Sequence, residues 1–189
     1  MSRYNMAGTI QVELTEQKVQ EIIAEASAYL RQERERFFPQ GVPLTGELRG
    51  AVATYFSSAL LDSIRTVTLK GIRLSTPSLY DEAKAMGFES FPEFRYMDSL
   101  TYIDVIVFHE QIAPRRLFHA LVHAAQMVLL GFHRYVESYV RGAVKGGSWL
   151  LIPLEDQAFK LEARFAMPTP EVFSVEGEIR RWAKEDRYP

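Results

Sequence analysis

The chain has 189 residues, 47% of them apolar and 24% charged, and a formal net charge of -2. That is the balance of an ordinary globular protein with enough material for one sizeable core, and it gives no reason to expect nucleic acid or a membrane as a partner. Cysteine is absent, so disulfides, thiolate-held metals and thiol catalysis are excluded, and any transition metal must be held by His, Asp or Glu.

The N-terminal stretch MSRYNMAGTIQVELTEQ lacks the apolar centre of a signal peptide. No run reaches the roughly 18 apolar residues of a membrane span, and a cytoplasmic location is the expectation. TEQKVQEIIAEASAYLRQERERFF is predicted to form a long amphipathic helix. Val19, Ile22, Ile23, Ala26 and Leu30 recur at helical spacing, Thr15 stands at the N-cap, and Pro39 and Gly41 end it. TGELRGAVATYFSSALLDSIRTV reads as a second helix with Leu48, Val52, Phe56 and Leu60 on one stripe. Residues 66–72 alternate as a strand. Ser75-Thr76-Pro77-Ser78 opens a short helix through Met86, with Gly87 as its stop. SLTYIDVIVFHEQI, residues 99–112, is rich in Thr, Tyr, Ile, Val and Phe and is the clearest strand.

Pro114 then opens a helix that runs to about Leu130 and ends at Gly131. HRYVESYVRGA is a further helix and KGGSW a turn. Pro153 takes the first position of a helix through LEDQAFKLEARF. Pro168 and Pro170 break the chain, and Ser174 caps a last helix. The fold class expected is α+β, mostly helical with a small sheet. One domain spans residues 1–189, with a helical part over 1–95 and the best strand and the histidine helix in 96–189. Arg115-Arg116 and Arg180-Arg181 read as solvated faces.

Two of the four histidines lie on the helix opened by Pro114, as His119-Ala120-Leu121-Val122-His123. Residues four apart project from one helix face, close enough for two imidazoles to meet one ion at about 2.0–2.1 Å each. The helix is apolar almost all round and therefore buried, and buried imidazoles need partners. The plainer reading is a pair of core histidines satisfied by hydrogen bonds, since His-x-x-x-His alone is a short motif. Glu155 sits in the first turn of the helix begun by Pro153, where a carboxylate also simply complements the helix dipole. Glu162, seven residues on, shares its side of the helix. It reads first as an exposed charge and otherwise as an acceptor that holds a ligand imidazole. Asp156 points elsewhere and is expected in solvent.

A strand, a Pro-Arg-Arg turn, the two histidines, Gln126 and then Ile152-Pro153-Leu154-Glu155 follow one another in this order. The order resembles the zincin-like metallopeptidases of the gluzincin type over roughly residues 97–166. The resemblance implies zinc held by His119, His123 and Glu155, a zincin-like domain, and hydrolysis of a peptide or protein substrate. It also exposes a departure. The family pattern is His-Glu-x-x-His, in which the glutamate moves the proton of the attacking water. Here that position is Ala120, which leaves metal binding intact and removes the general base. The alanine belongs to a natural pseudoenzyme, or is an introduced inactivating change, or is offset by an acid from elsewhere, such as Glu110, Glu137 or Glu162.

Tyr139 and Arg141 are candidates to polarise a substrate carbonyl, against packing for the first and helix-end capping for the second. His109 and His133 read as surface residues, and Trp149 and Trp182 as core or interface anchors. Two alternatives stay open. Two His and one carboxylate also make the iron site of non-haem Fe(II) enzymes, and the chain is otherwise a non-catalytic helical interaction module.

Overall fold

The computed structural model describes residues 14–85, 93–146, 149–169 and 171–189. The helices are α1 (Glu16–Phe37), α2 (Gly46–Val52), α3 (Ser58–Ser63), α4 (Ser78–Ala85), α5 (Pro114–Leu130), α6 (Phe132–Gly146), α7 (Pro153–Phe165) and α8 (Val175–Lys184). The strands are β1 (Val42–Pro43), β2 (Arg65–Thr68), β3 (Ser99–Tyr102) and β4 (Val105–Phe108). The fold is α+β and mostly helical. Met86, Gly87, the Gly147-Ser148 turn and Pro170 lie outside the described residues.

The predicted start signals act as side-chain caps. The Thr15 hydroxyl accepts from the Lys18 N–H and the Ser174 hydroxyl from the Gly177 N–H, which satisfies amides that a helix end leaves bare. Pro114 and Pro153 each open their helix in its first turn. α5 ends where Gly131 takes φ 83°, a backbone state that glycine adopts at least cost.

Three predicted elements are cut short. The helix expected over 45–67 is two helices, α2 and α3. Ser57 caps a new helix by accepting from the Leu60 N–H, and its own N–H donates to Glu176 at 2.7 Å. Tyr55 and Phe56 turn inward onto Phe118, while Tyr55 also meets Phe165 and Phe173. Aromatic burial and a fresh cap thus override one continuous stripe. The strand expected to reach residue 72 stops at Thr68, before a turn with Lys70 and Gly71 at positive φ. The strand expected over 99–112 is a hairpin. β3 and β4 pair antiparallel with Tyr102 opposite Val105, and Ile103 takes φ 62° in the two-residue loop. That loop carries no Gly or Asn, the usual sign of such a turn. A bidentate ion pair holds it instead, with Arg34 on both Asp104 oxygens at 2.7 Å.

The sheet order is β1-β2-β4-β3, with β2 and β4 parallel and the outer pairs antiparallel. All four β4 residues are buried, because both faces of this central strand are covered. Ile106 and Phe108 face a core with α5 and its neighbours α2, α3, α7 and α8. Val105 and Val107 alternate to the other face with Phe37, Phe94 and Tyr102. α1 lies against α6 and β3, so the N-terminal part shares its core with the histidine half.

His109, expected at the surface, is fully buried. Its Nδ1–H donates to the Met97 carbonyl at 2.5 Å, and its Nε2 accepts from the Leu74 N–H at 3.5 Å. One imidazole thereby satisfies two loops that flank the end of β4. Replacing it with alanine strands both backbone groups and leaves a cavity, so His109→Ala is expected to cost about 2–4 kcal/mol in chemical denaturation. A loss below ~1 kcal/mol contradicts that role. His133 is exposed, as expected.

Candidate metal centre

α5 is buried over most of its length, and α7 crosses it. Gly142 in α6 allows α7 to begin where it does, since a Cβ there would stand 2.9 Å from Pro153 Cδ. This close approach fixes the first turn of α7 and, with it, Glu155 over the paired histidines.

The three ligand candidates converge. His119 Nε2 and His123 Nε2 are 3.1 Å apart, and Glu155 Oε2 is 3.5 Å from each. Glu155 and His123 are buried, and the His119 side chain is only 15% exposed. Each of the other ring nitrogens is already occupied. His119 Nδ1–H donates to Glu162 Oε2 at 2.7 Å, and His123 Nδ1–H donates to Gln126 Oε1 at 3.0 Å. These bonds leave both Nε2 lone pairs aimed at one point. Glu155 Oε2 points there too, and it is the one buried side-chain oxygen or nitrogen without a partner among the described residues. With both imidazoles neutral, two lone pairs and a bare carboxylate oxygen repel, and either a proton on His119 or a metal ion among them relieves this. A buried His-His-Glu cluster able to hold a metal ion is therefore present.

The supporting contacts extend behind the cluster. Gln126 Nε2–H donates to the Leu154 carbonyl and to Gln157 Oε1, each at 3.0 Å, and Tyr188 also donates to that oxygen. His123 is thus orientated by a chain of amides that reaches the C-terminus. Glu162, weighed first as an exposed charge, is buried at 1% and bonds both His119 and Arg115. The sequence shows its side of the helix but not what covers it. Arg115 is exposed as expected, yet its guanidinium caps that buried carboxylate. Asp156 is half-buried and pairs with Lys160.

Tyr139 does not stand free for a substrate carbonyl. Its hydroxyl donates to Glu155 Oε1 at 2.9 Å and accepts from Trp149 Nε1–H at 3.3 Å, so it holds the Glu155 carboxylate. Trp149 packs edge-on against Phe159. Arg141 is not at the cluster: it binds Glu16 and Glu137 and ties α6 to α1. Tyr135 also reaches the cluster, with its hydroxyl 3.4 Å from His123 Nδ1.

Burial pushes the Glu155 carboxyl up, but the His123 and His119 imidazoles outweigh it and hold the group well below the usual carboxylate range. Burial likewise pulls His119 down, and the Glu155 and Glu162 carboxylates outweigh it, holding the imidazole at about 9. Burial and the Glu155 charge push the Tyr139 hydroxyl well above its ordinary value, so it stays protonated and remains a donor.

The cluster opens into a cavity of about 430 Å³ that Ala120 also lines. Glu110, Glu137 and Glu162 do not line it. Glu110 pairs with Arg73, Glu137 with Arg141, and Glu162 stands behind His119 with both oxygens engaged. None of the three reaches the cavity beside Ala120. Comparison with protein-family models, curated proteins and solved structures finds no match. Among the described residues no helix is long and apolar enough to cross a membrane.

Proposed function

We propose that the chain is a zincin-like metalloprotein in which His119, His123 and Glu155 bind zinc. Its chemistry is metal-assisted hydrolysis of an amide or peptide bond, much impaired because Ala120 stands where the general base belongs. The observation that carries this reading is the unpartnered Glu155 Oε2 facing two Nε2 atoms whose rings are each held from behind. Ligand atoms on a zinc tetrahedron of about 2.0–2.1 Å radius lie roughly 3.3–3.4 Å apart. The three separations are 3.1, 3.5 and 3.5 Å, close enough for one ion to meet all three atoms. A zinc ion supplies Lewis acidity to water and to a carbonyl oxygen. The chain supplies orientation: Glu162 and Gln126 fix the imidazoles, Tyr139 fixes Glu155, and the cavity admits the substrate beside them.

Metal analysis of protein purified without a histidine tag tests the reading. One zinc per chain is expected, falling to near zero in Glu155→Ala and His123→Ala. Iron in place of zinc, with oxygen-dependent turnover, would move the site to the non-haem class. Metal-free protein that resists reloading would leave an ordinary packed core.

A further inference from the structure

The cavity reaches well past the metal cluster. Its walls take in residues 22–30 of α1, 116–127 of α5 and 135–144 of α6, together with α4 and β3. At about 1.5 Å rise per residue, each helix borders it for roughly 12–16 Å. Among the described residues, the charged side chains on its walls are Asp98, Arg116, His119, His123 and Glu155. Asp98 and Arg116 neutralise each other at 2.7 Å, and the other three form the cluster. Away from these, hydrocarbon and aromatic surface dominates, with Ile22, Leu30, Leu79, Phe94, Val140 and Val144 among its residues. Several polar atoms there are already committed: the Tyr29 and Tyr102 hydroxyls bond each other at 3.1 Å, and Thr101 Oγ1–H donates to the Ala120 carbonyl.

We infer that this cavity receives an elongated hydrocarbon group, an acyl or aryl-alkyl chain, joined to an oxygen-bearing head that faces the His119–His123–Glu155 cluster. A polypeptide backbone laid along these walls would bury peptide groups faster than the walls supply partners, at a cost for each. A hydrocarbon chain needs no partners and gains with every methylene removed from water. The substrate class is therefore an amide carrying a long apolar acyl or aryl-alkyl group. This inference rests on the zinc reading for its head group and on the cavity alone for its tail.

Straight-chain alkyl hydroxamates, from acetyl to dodecanoyl, titrated calorimetrically into the zinc-loaded protein test it. Affinity is expected to rise about three- to fourfold per methylene and then level off when the cavity is full. Ala26→Trp and Ala83→Trp stand on the α1 and α4 walls, which supply none of the cluster residues. Each should keep one zinc per chain and bring the plateau to a shorter chain. Straight-chain alcohols titrated into the metal-free protein separate the two claims. Dependence on chain length there, in a protein that takes no zinc, retains the cavity and removes the metal head. Hydroxamates that bind zinc-loaded protein with no dependence on chain length overturn the inference while the metal reading stands. So does a plateau that neither tryptophan shifts.

Discussion

Replacing Ala120 with glutamate is expected to raise amide hydrolysis by the zinc-loaded protein about 10²–10⁴-fold, the usual contribution of a general base. The position is prepared for it. Ala120 follows a metal-ligand candidate on α5, and although it is only 1% exposed it lines the cavity beside His119 and His123. Its carbonyl accepts from Thr101 on β3, which pins the backbone so that a longer side chain has the cavity to extend into. Among the described residues no carboxylate duplicates that placement. Asp98 lines the same cavity but is held by Arg116, which is four residues, about one helical turn, before Ala120. Glu162 is walled off behind His119. Ala120→Gln is the control of equal length with no proton-accepting carboxylate. Initial rates on an amide with a long acyl group should rise for the glutamate variant and stay at the parent level for the glutamine one. Equal gains from both variants, or none from either at full zinc occupancy, would mean that a base at 120 is not what this site lacks.

How much of this was legible beforehand follows from the range of the signals. α5, α7 and α8 were readable because their caps and periodicity are local: Pro114, Gly131, Pro153 and Ser174 act within a turn of themselves. The convergence of His119 and His123 needs only helical spacing. Glu155 was placed by its helix position and by the zincin resemblance, and tertiary crossing of α7 over α5 brings it within reach. What failed was what depends on distant partners. Glu162 carries no mark in the sequence of the Arg115 and His119 that bury it. His109 looked like a strand-end surface residue until Leu74 and Met97 closed over it. The hairpin at Ile103 hid inside a continuous β-rich run because its turn is held by Arg34, some seventy residues away in sequence. The cavity needs α1, α4 and α6 at once, and no local pattern announces that.

Protons and metal compete for the same three atoms, and metal binding is expected to remove the alkaline loss of stability. Without metal, His119 is held at about 9 by Glu155 and Glu162, against about 6.5 unfolded. A raised histidine pKa stabilises the fold fully below the unfolded value and ceases to do so as pH climbs through the folded one. The metal-free protein should therefore lose stability, of order 3 kcal/mol, between about pH 6.5 and 9. The depressed Glu155 carboxyl is the other end of the same interaction and adds no second contribution in that window. Zinc requires the neutral imidazole. Its apparent affinity should rise about tenfold per pH unit below about 9 and flatten above it, so that pH 7 binding is roughly fiftyfold weaker than at pH 9. Calorimetry at pH 7 in buffers of different ionisation enthalpy should then find about one proton released per zinc bound. Thermal melts of the loaded protein should lack the alkaline decline of the metal-free form. Glu162→Gln sharpens the case: it removes one of the charges that raise His119 while keeping a partner for Nδ1. It should shrink the proton release at pH 7 and weaken zinc about 10–100-fold through poorer orientation of the ring. Zinc affinity that is flat from pH 7 to 9, with no proton released, would show that His119 is neutral in the metal-free chain and that its two carboxylate neighbours do not govern it.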